Sequence, residues 1–223
     1  MSEQARNGFA VWTVLRRDAL TAANAQPGTQ SLADAIAEVE ADGVTVRGMY
    51  DVSVLRADAD LMLWLHGHDA EGLQAAVRRL RRSSELAGLA LTWSAMGVHR
   101  DAEFNKAHVP GFLRGERARD WLCVYPFVRS YDWYLLPEEE RRAMLAEHGR
   151  KGAAFTSVIA NTVSSFALND YEWLLPMESD ELTDLVDMMR DLRATKARLH
   201  VREEVPFFTG RLIRADEVAE VLA

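Results

Sequence analysis

The chain has 223 residues, 48% of them apolar, with a formal net charge of −8 and a single cysteine, Cys123. That length can bury a core in one large domain or two small ones, while the acidity excludes a general nucleic-acid binder, which would show a basic face. A lone cysteine excludes an intrachain disulfide and a cysteine-based zinc site, strand-sized apolar runs exclude a transmembrane span, and MSEQARNGFAVWTVL lacks the pattern of a signal peptide, so a soluble, cytoplasmic protein is expected.

In chain order, FAVWTVL reads as a strand and SLADAIAEVEAD (31–42) as a helix with Ser31 at its N-cap. MYDVSVLR and DLMLWLHGH read as strands flanking a turn at 57–59. Asp69 caps a helix running to about Ser83, and LALTWSAMGV closes the first half. DWLCVYPFV then starts a second series, with Cys123 as a small core residue. A helix from about Pro137 to Gly149 follows, with Glu138, Glu139 and Glu140 suited to its positive end. NTVSSFAL and DYEWLLPME read as paired strands, a helix spans 179–195, and ARLHVREEVPFF reads as the closing strand.

Slid along itself by 109 positions, the chain matches without gaps at Trp12 and Trp121, at Trp64-Leu65 and Trp173-Leu174, and at Leu73, Val77, Leu80 against Leu182, Val186, Met189. Matching apolar positions at strand and helix spacing imply two copies of one unit. The strand-helix-strand-strand-helix-strand order is that of a ferredoxin-like unit. The expected fold class is α+β, with tandem ferredoxin-like repeats forming a dimeric α+β barrel within one chain. Residues 1–100 form the N-terminal half, 101–117 a connector and 118–223 the C-terminal half. A connector of that length inside a compact domain is usually functional.

The segment from Trp121 to Gly149 carries the most chemistry. On the helix LPEEERRAMLAEHG, Leu136, Met144, Leu145 and His148 share one face by three- and four-residue spacing. His148 reads either as a helix-end imidazole before Gly149, favoured by the dipole, or as an axial ligand to iron. Tyr125 is ordinary core or a redox-capable phenol. Arg129, Ser130, Tyr131, Trp133 and Tyr134 follow it, aromatic rings and a cation suited to the faces and carboxylates of a porphyrin. His108, in FNKAHVPGF, is a surface histidine unless the connector folds over a cofactor, where it could take a proton from a peroxide. His66, His68, His99 and His200 form no metal signature, and RRLRRSS (78–84) reads as a solvated helix face. Neither phosphate-loop nor hydrolase nor zinc-protease motifs occur.

Together, YPFVRSYDWYLLPEEERRAMLAEHG, NTVSSFALNDYEWLLPMESDEL and MMRDLRATKARLHVREEVPFFTGR resemble the chlorite dismutase-like superfamily, nearest its actinobacterial coproheme decarboxylase branch. The resemblance covers nearly the whole chain. It implies hydrogen peroxide-dependent oxidative decarboxylation of two propionates of iron coproporphyrin III (coproheme), giving haem b. It also implies His148 as the proximal iron ligand, Tyr125 as the radical-forming tyrosine and His108 as the distal base. Arg129, Ser130, Trp133 and Arg198 would hold propionates or line the porphyrin. A ring-shaped homopentamer and a transient contact with coproporphyrin ferrochelatase would follow.

Two departures bear on activity. FTSVIANTVSSFALND (155–170) has no arginine where chlorite dismutases carry a distal one, and Arg129 stands where other coproheme decarboxylases have lysine. Competing readings are a non-catalytic haem-binding or haem-sensing protein on the same barrel, a haem peroxidase, and a barrel protein of unrelated chemistry.

Overall fold

A computed structural model describes residues 8–26, 28, 30–101 and 109–223. Its strands are β1 (Phe9–Arg17), β2 (Thr45–Asp51), β3 (Leu61–Gly67), β4 (Leu89–Val98), β5 (Trp121–Arg129), β6 (Ile159–Ala160), β7 (Val163–Ser164), β8 (Trp173–Ser179), β9 (Val201–Glu203) and β10 (Phe208–Ile213). Its helices are α1 (Ala19–Asn24), α2 (Leu32–Ala41), α3 (Ala70–Leu80), α4 (Glu138–Gly152), α5 (Leu182–Leu192) and α6 (Val218–Val221). The chain divides into two units. The first holds the described residues up to His99 together with Phe208–Ala223, and the second runs from Arg100 to Phe207. The closing segment therefore packs with the N-terminal unit, because β10 pairs antiparallel with β2, and not within a 118–223 half as its position in sequence suggested.

In the first unit the antiparallel order is β4-β1-β3-β2-β10. β1 is central and buried on both faces, so it reads as a continuous apolar run rather than an alternating one. Leu32, Ala35 and Val39 of α2 and Leu73, Ala76 and Leu80 of α3 bury against Leu61, Leu63 and Leu65. Both helices start where expected: Ser31 accepts from the Asp34 N–H and Asp69 from the Gly72 N–H. Three expectations shift. The short helix α1 was not anticipated, α3 stops at Leu80 before Ser83, and β2 begins at Thr45 and ends at Asp51. Asp51 ends the strand by accepting from both the N–H and the hydroxyl of Ser53.

In the second unit β8 pairs antiparallel with β5, β6 and β7 lie on β8, and β9 lies on β5. α5 covers one face of β5 and β8, burying Leu185, Met188 and Leu192 with Cys123, Tyr125 and Met177. NTVSSFAL is not one strand: within it only the two-residue β7 pairs with β8, and the two-residue β6 precedes it. The stretch 196–203 is a 3-10 turn followed by the three-residue β9. α4 continues past Gly149 to Gly152, so Gly149 does not end it. A side chain at Gly149 would meet nothing within 4 Å, so no tertiary contact demands a stop there.

The gapless 109-residue offset does not survive as a structural equivalence. Trp12 pairs with Trp64, their rings 5.2 Å apart, whereas Trp121 pairs with Ser179 and Trp173 with Phe127. The apolar pattern records strand and helix faces, and faces repeat even when register slides.

Two buried polar groups fix the start of the second unit. Asn161, 0% exposed, accepts from the Phe112 N–H at 3.0 Å and donates to Glu178, also 0% exposed, at 2.9 Å. Glu178 accepts in turn from the Arg119 N–H at 3.1 Å. Asn161→Leu leaves a buried amide and one side of a buried carboxylate without their partner. It should cost about 2–4 kcal/mol, read as a lower urea midpoint with an unchanged slope; an unmoved midpoint would show the network to be dispensable.

Candidate functional site

Along β5 every second side chain from Trp121 to Arg129 points to one face, so Cys123, Tyr125, Phe127 and Arg129 lie in a row. The directly paired residues of β8, Met177, Leu175 and Trp173, share that face. At the Cys123 end the row is sealed by α5. Toward Arg129 it opens, and Phe127, Leu175 and Trp173 are only half-buried. Tyr125 and Arg129 are about 13 Å apart along the strand, comparable to the width of a porphyrin.

Tyr125 is 4% exposed. Its ring stacks on Phe207 at 4.4 Å, and its hydroxyl points at Met189 Sδ at 3.6 Å. Burial pushes the phenol well above its ordinary pKa, with Cys123 and Glu204 adding to the effect and Arg193 and Arg198 opposing it. The phenol therefore keeps its proton at any working pH, which suits a hydrogen-atom donor and not a phenolate base.

At the other end of the row, the Arg129 guanidinium lies 4.0 Å over the Trp133 ring and 4.5 Å over Phe127. Trp133 is 1% exposed. Glu172 accepts from the Arg129 N–H at 2.9 Å and from the Tyr134 hydroxyl at 2.8 Å, which anchors the strand end and the following turn together. Ser130 donates its N–H to the His200 carbonyl at 3.1 Å, and its Oγ lies 3.1 Å from His200 Nδ1 and in a short hydrogen bond to Asp132. The His200 ring sits 5.4 Å from Trp133. The sequence alone gives His200 no role. Seventy residues from Ser130, it gives no local signal beyond its place in the RATKARLH motif.

His148 lies inside α4, one turn from its end. Pro137 precedes the helix, Glu138, Glu139 and Glu140 fill its first turn, and Arg150 and Lys151 its last, matching charge to the helix dipole. None of its residues is fully buried; Met144, Leu145 and His148 are half-buried. The helix is tied down at its C-terminal end, where Lys151 pairs with Asp191 at 2.7 Å and Glu147 accepts from the Lys196 N–H at 3.1 Å. His148 Nδ1 is buried with no hydrogen-bond partner among the described residues. Burial first, then the Arg129 cation, hold the imidazole below its ordinary pKa, against the opposing charge of Glu147. A neutral ring nitrogen in want of a partner is what axial ligation of iron calls for.

Among the described residues no three metal-ligating side chains gather. An iron porphyrin brings its own four nitrogen ligands, so a single imidazole such as His148 suffices to hold it. His148, the flat half-buried surfaces of Phe127, Trp173 and Leu175, and the cations Arg129 and Arg198 fit such a group. Arg198, on the 3-10 turn, donates to Glu204 at 2.5 Å. His108 lies outside the described residues. His66 is pushed down to about 4, by burial first and then by Arg47 and His68, and belongs to the other unit.

The chain matches the family model described as chlorite dismutase over residues 25–213. It belongs to the chlorite dismutase family. Over 180 residues, covering 80% of this chain and 78% of the relative, it is 55% identical to a coproheme decarboxylase of Mycolicibacterium smegmatis. Among solved structures, a mutant chlorite dismutase of Candidatus Nitrospira defluvii in complex with cyanide has a TM-score of 0.79 at 20% identity, covering 100% of this chain and 97% of that one. Chlorite dismutase from the same source in complex with imidazole has a TM-score of 0.78 at 21% identity, covering 98% and 95%. At that identity the likeness shows the fold alone, a mixed α/β chlorite dismutase-like fold. Within this chlorite dismutase-family chain, β6 and β7 turn only Ala160 and Ser164 to the face of Met177 and Trp173, and no arginine stands between Phe155 and Asp170.

Proposed function

We propose that the chain is a coproheme decarboxylase, which converts iron coproporphyrin III to haem b with hydrogen peroxide as oxidant. The observation that carries this reading is the 55% identity to a coproheme decarboxylase over 80% of the chain. The row of side chains from Tyr125 to Arg129, with the Arg129 cation near enough to act on His148, supports it. On this reading the enzyme is a cytoplasmic oxidoreductase of haem biosynthesis, built of tandem ferredoxin-like repeats and assembled as a homopentamer. It receives its substrate by transient contact with coproporphyrin ferrochelatase. In the first unit β1, α2, β2, β3, α3 and β4 follow one another as β5, α4, the split β6 and β7, β8, α5 and β9 do in the second, with α1, α6 and β10 outside the match, which supports the repeat.

The substrate is also the redox centre, and it supplies the oxidising power when peroxide reacts at its iron. His148 holds that iron from one side and leaves the other face open. Arg129, Ser130, Trp133 and Arg198 receive propionates or line the ring. Each decarboxylation consumes one propionate, one hydrogen peroxide and one proton, and yields a vinyl group, carbon dioxide and two waters. A propionate β-carbon hydrogen is a poor acid, so it leaves as an atom and not as a proton. Tyr125 gives up its phenolic hydrogen atom, regains one from the β-carbon and ends unchanged; the second electron leaves as the carboxylate is lost. His108 takes the proton that readies the peroxide for cleavage. Without a cation on β6 or β7, nothing there would hold chlorite.

The test is direct. Purified chain mixed with iron coproporphyrin III and titrated with peroxide should lose two carboxyl groups through a three-propionate intermediate, followed by product mass. Peroxide consumption with no change in porphyrin mass would favour a peroxidase instead.

A further inference from the structure

The Tyr125 end of the site holds more positive charge than Arg198 alone. Glu204, its side chain 14% exposed, accepts from two guanidinium groups at once, Arg193 Nη1 at 2.6 Å on one oxygen and Arg198 Nη1 at 2.5 Å on the other. One carboxylate between two arginines leaves one positive charge in surplus. Each arginine side chain is 40% exposed, so that surplus is presented to solvent with Glu204 behind it. A guanidinium is a planar fork of five N–H donors; tying one nitrogen to Glu204 orients the remaining edge without using it. All three charged groups act on the Tyr125 phenol, which sets the cluster and the phenol in one electrostatic neighbourhood. Arg193 closes α5, Arg198 sits on the 3-10 turn and Glu204 follows β9, so three elements converge there.

We propose that Arg193 joins Arg198 as a two-guanidinium receptor for the substrate carboxylate nearest Tyr125, with Glu204 as the positioning residue that sets the two forks side by side. The inference rests on the chain being a coproheme decarboxylase. A carboxylate held beside the phenol is one that the reaction removes, so the substrate carries it and haem b does not. Arg193 is then a specificity-determining residue for substrate over product.

The experiment is a spectrophotometric titration of the full chain with iron coproporphyrin III and, separately, with haem b. Arg193→Gln should weaken binding of iron coproporphyrin III about tenfold or more, the scale of one lost charge-assisted hydrogen bond, and binding of haem b less than about threefold. Arg193→Lys should recover part of the loss, as a cation without the fork. In a Glu204→Gln background the loss on Arg193→Gln should shrink to less than about threefold, since the pair acts as a unit. Equal losses for both porphyrins, or none, would overturn the role of Arg193, and an undiminished loss in the Glu204→Gln background would remove Glu204 from it. A wild-type chain that leaves iron coproporphyrin III unconverted by peroxide would overturn the functional reading itself.

Discussion

His148→Ala should bind iron coproporphyrin III at least about 100-fold more weakly than the wild type, because loss of a group that merely orients a metal ligand already costs about 10–100-fold. The protein itself should stay folded. α4 buries none of its residues fully and is held by Lys151 and Glu147, so the change removes no core packing. The Nδ1 of His148 has no partner to lose among the described residues, and truncation even relieves a buried polar group. Binding of the wild type should also follow the imidazole's protonation. Its pKa lies below the ordinary histidine value, so the ring is neutral and able to ligate at neutral pH. Affinity should hold on acidification past that ordinary value and fall only at lower pH. Added imidazole should restore part of the absorbance of the bound iron in His148→Ala. A Soret band and affinity equal to the wild type would take His148 out of the site.

Tyr125→Phe should separate binding from chemistry. The ring stacked on Phe207 at 4.4 Å is retained, and among the described residues the hydroxyl surrenders a contact with a thioether at 3.6 Å, a weak acceptor. Stability and porphyrin affinity should therefore change little. Carbon dioxide release on addition of peroxide should fall at least about 100-fold, the scale on which loss of a group taking part in hydrogen transfer appears in rates. Since the phenol sits far above its ordinary pKa, turnover in the wild type should show no step from phenolate formation as pH rises toward 10. Normal turnover by Tyr125→Phe would sink the radical relay, and with it the reason for placing a phenol on this face of β5.

Much of the frame was legible because its signals are local. Ser31 and Asp69 mark helix starts three residues ahead of the amides they cap, and Pro137 with three glutamates marks another. DWLCVYPFV and LALTWSAMGV match the strands Trp121–Arg129 and Leu89–Val98 nearly to the residue. The misreadings come from features that local pattern cannot carry. Gly149 has the composition of a helix stop, yet the chain runs on to Gly152 because nothing there requires the left-handed turn. The run after Asn161 is apolar enough for a strand but pairs over only two residues, and register against β8 decides that. The closing strand β10 belongs to the first unit through its pairing with β2, a partner some 160 residues away that no window along the chain contains.

The candidate site divides in the same way. Tyr125, Arg129, Ser130, Trp133, His148 and Arg198 are candidates on their motifs, five of them within one run of 24 residues. His200, Glu172, Glu204 and Arg193 were not, because each acquires meaning only from what it touches. By itself the sequence determined the family, the helix that carries the imidazole and the strand that carries the phenol, since these rest on spacing between near neighbours. Only the tertiary structure decided that Glu204 stands between Arg193 and Arg198, that His200 backs Ser130 and Trp133, and that Asn161 and Glu178 anchor Phe112 and Arg119. Hydrogen bonds and ion pairs are satisfied by whichever group the fold delivers within about 3 Å, and sequence distance says little about which group that will be.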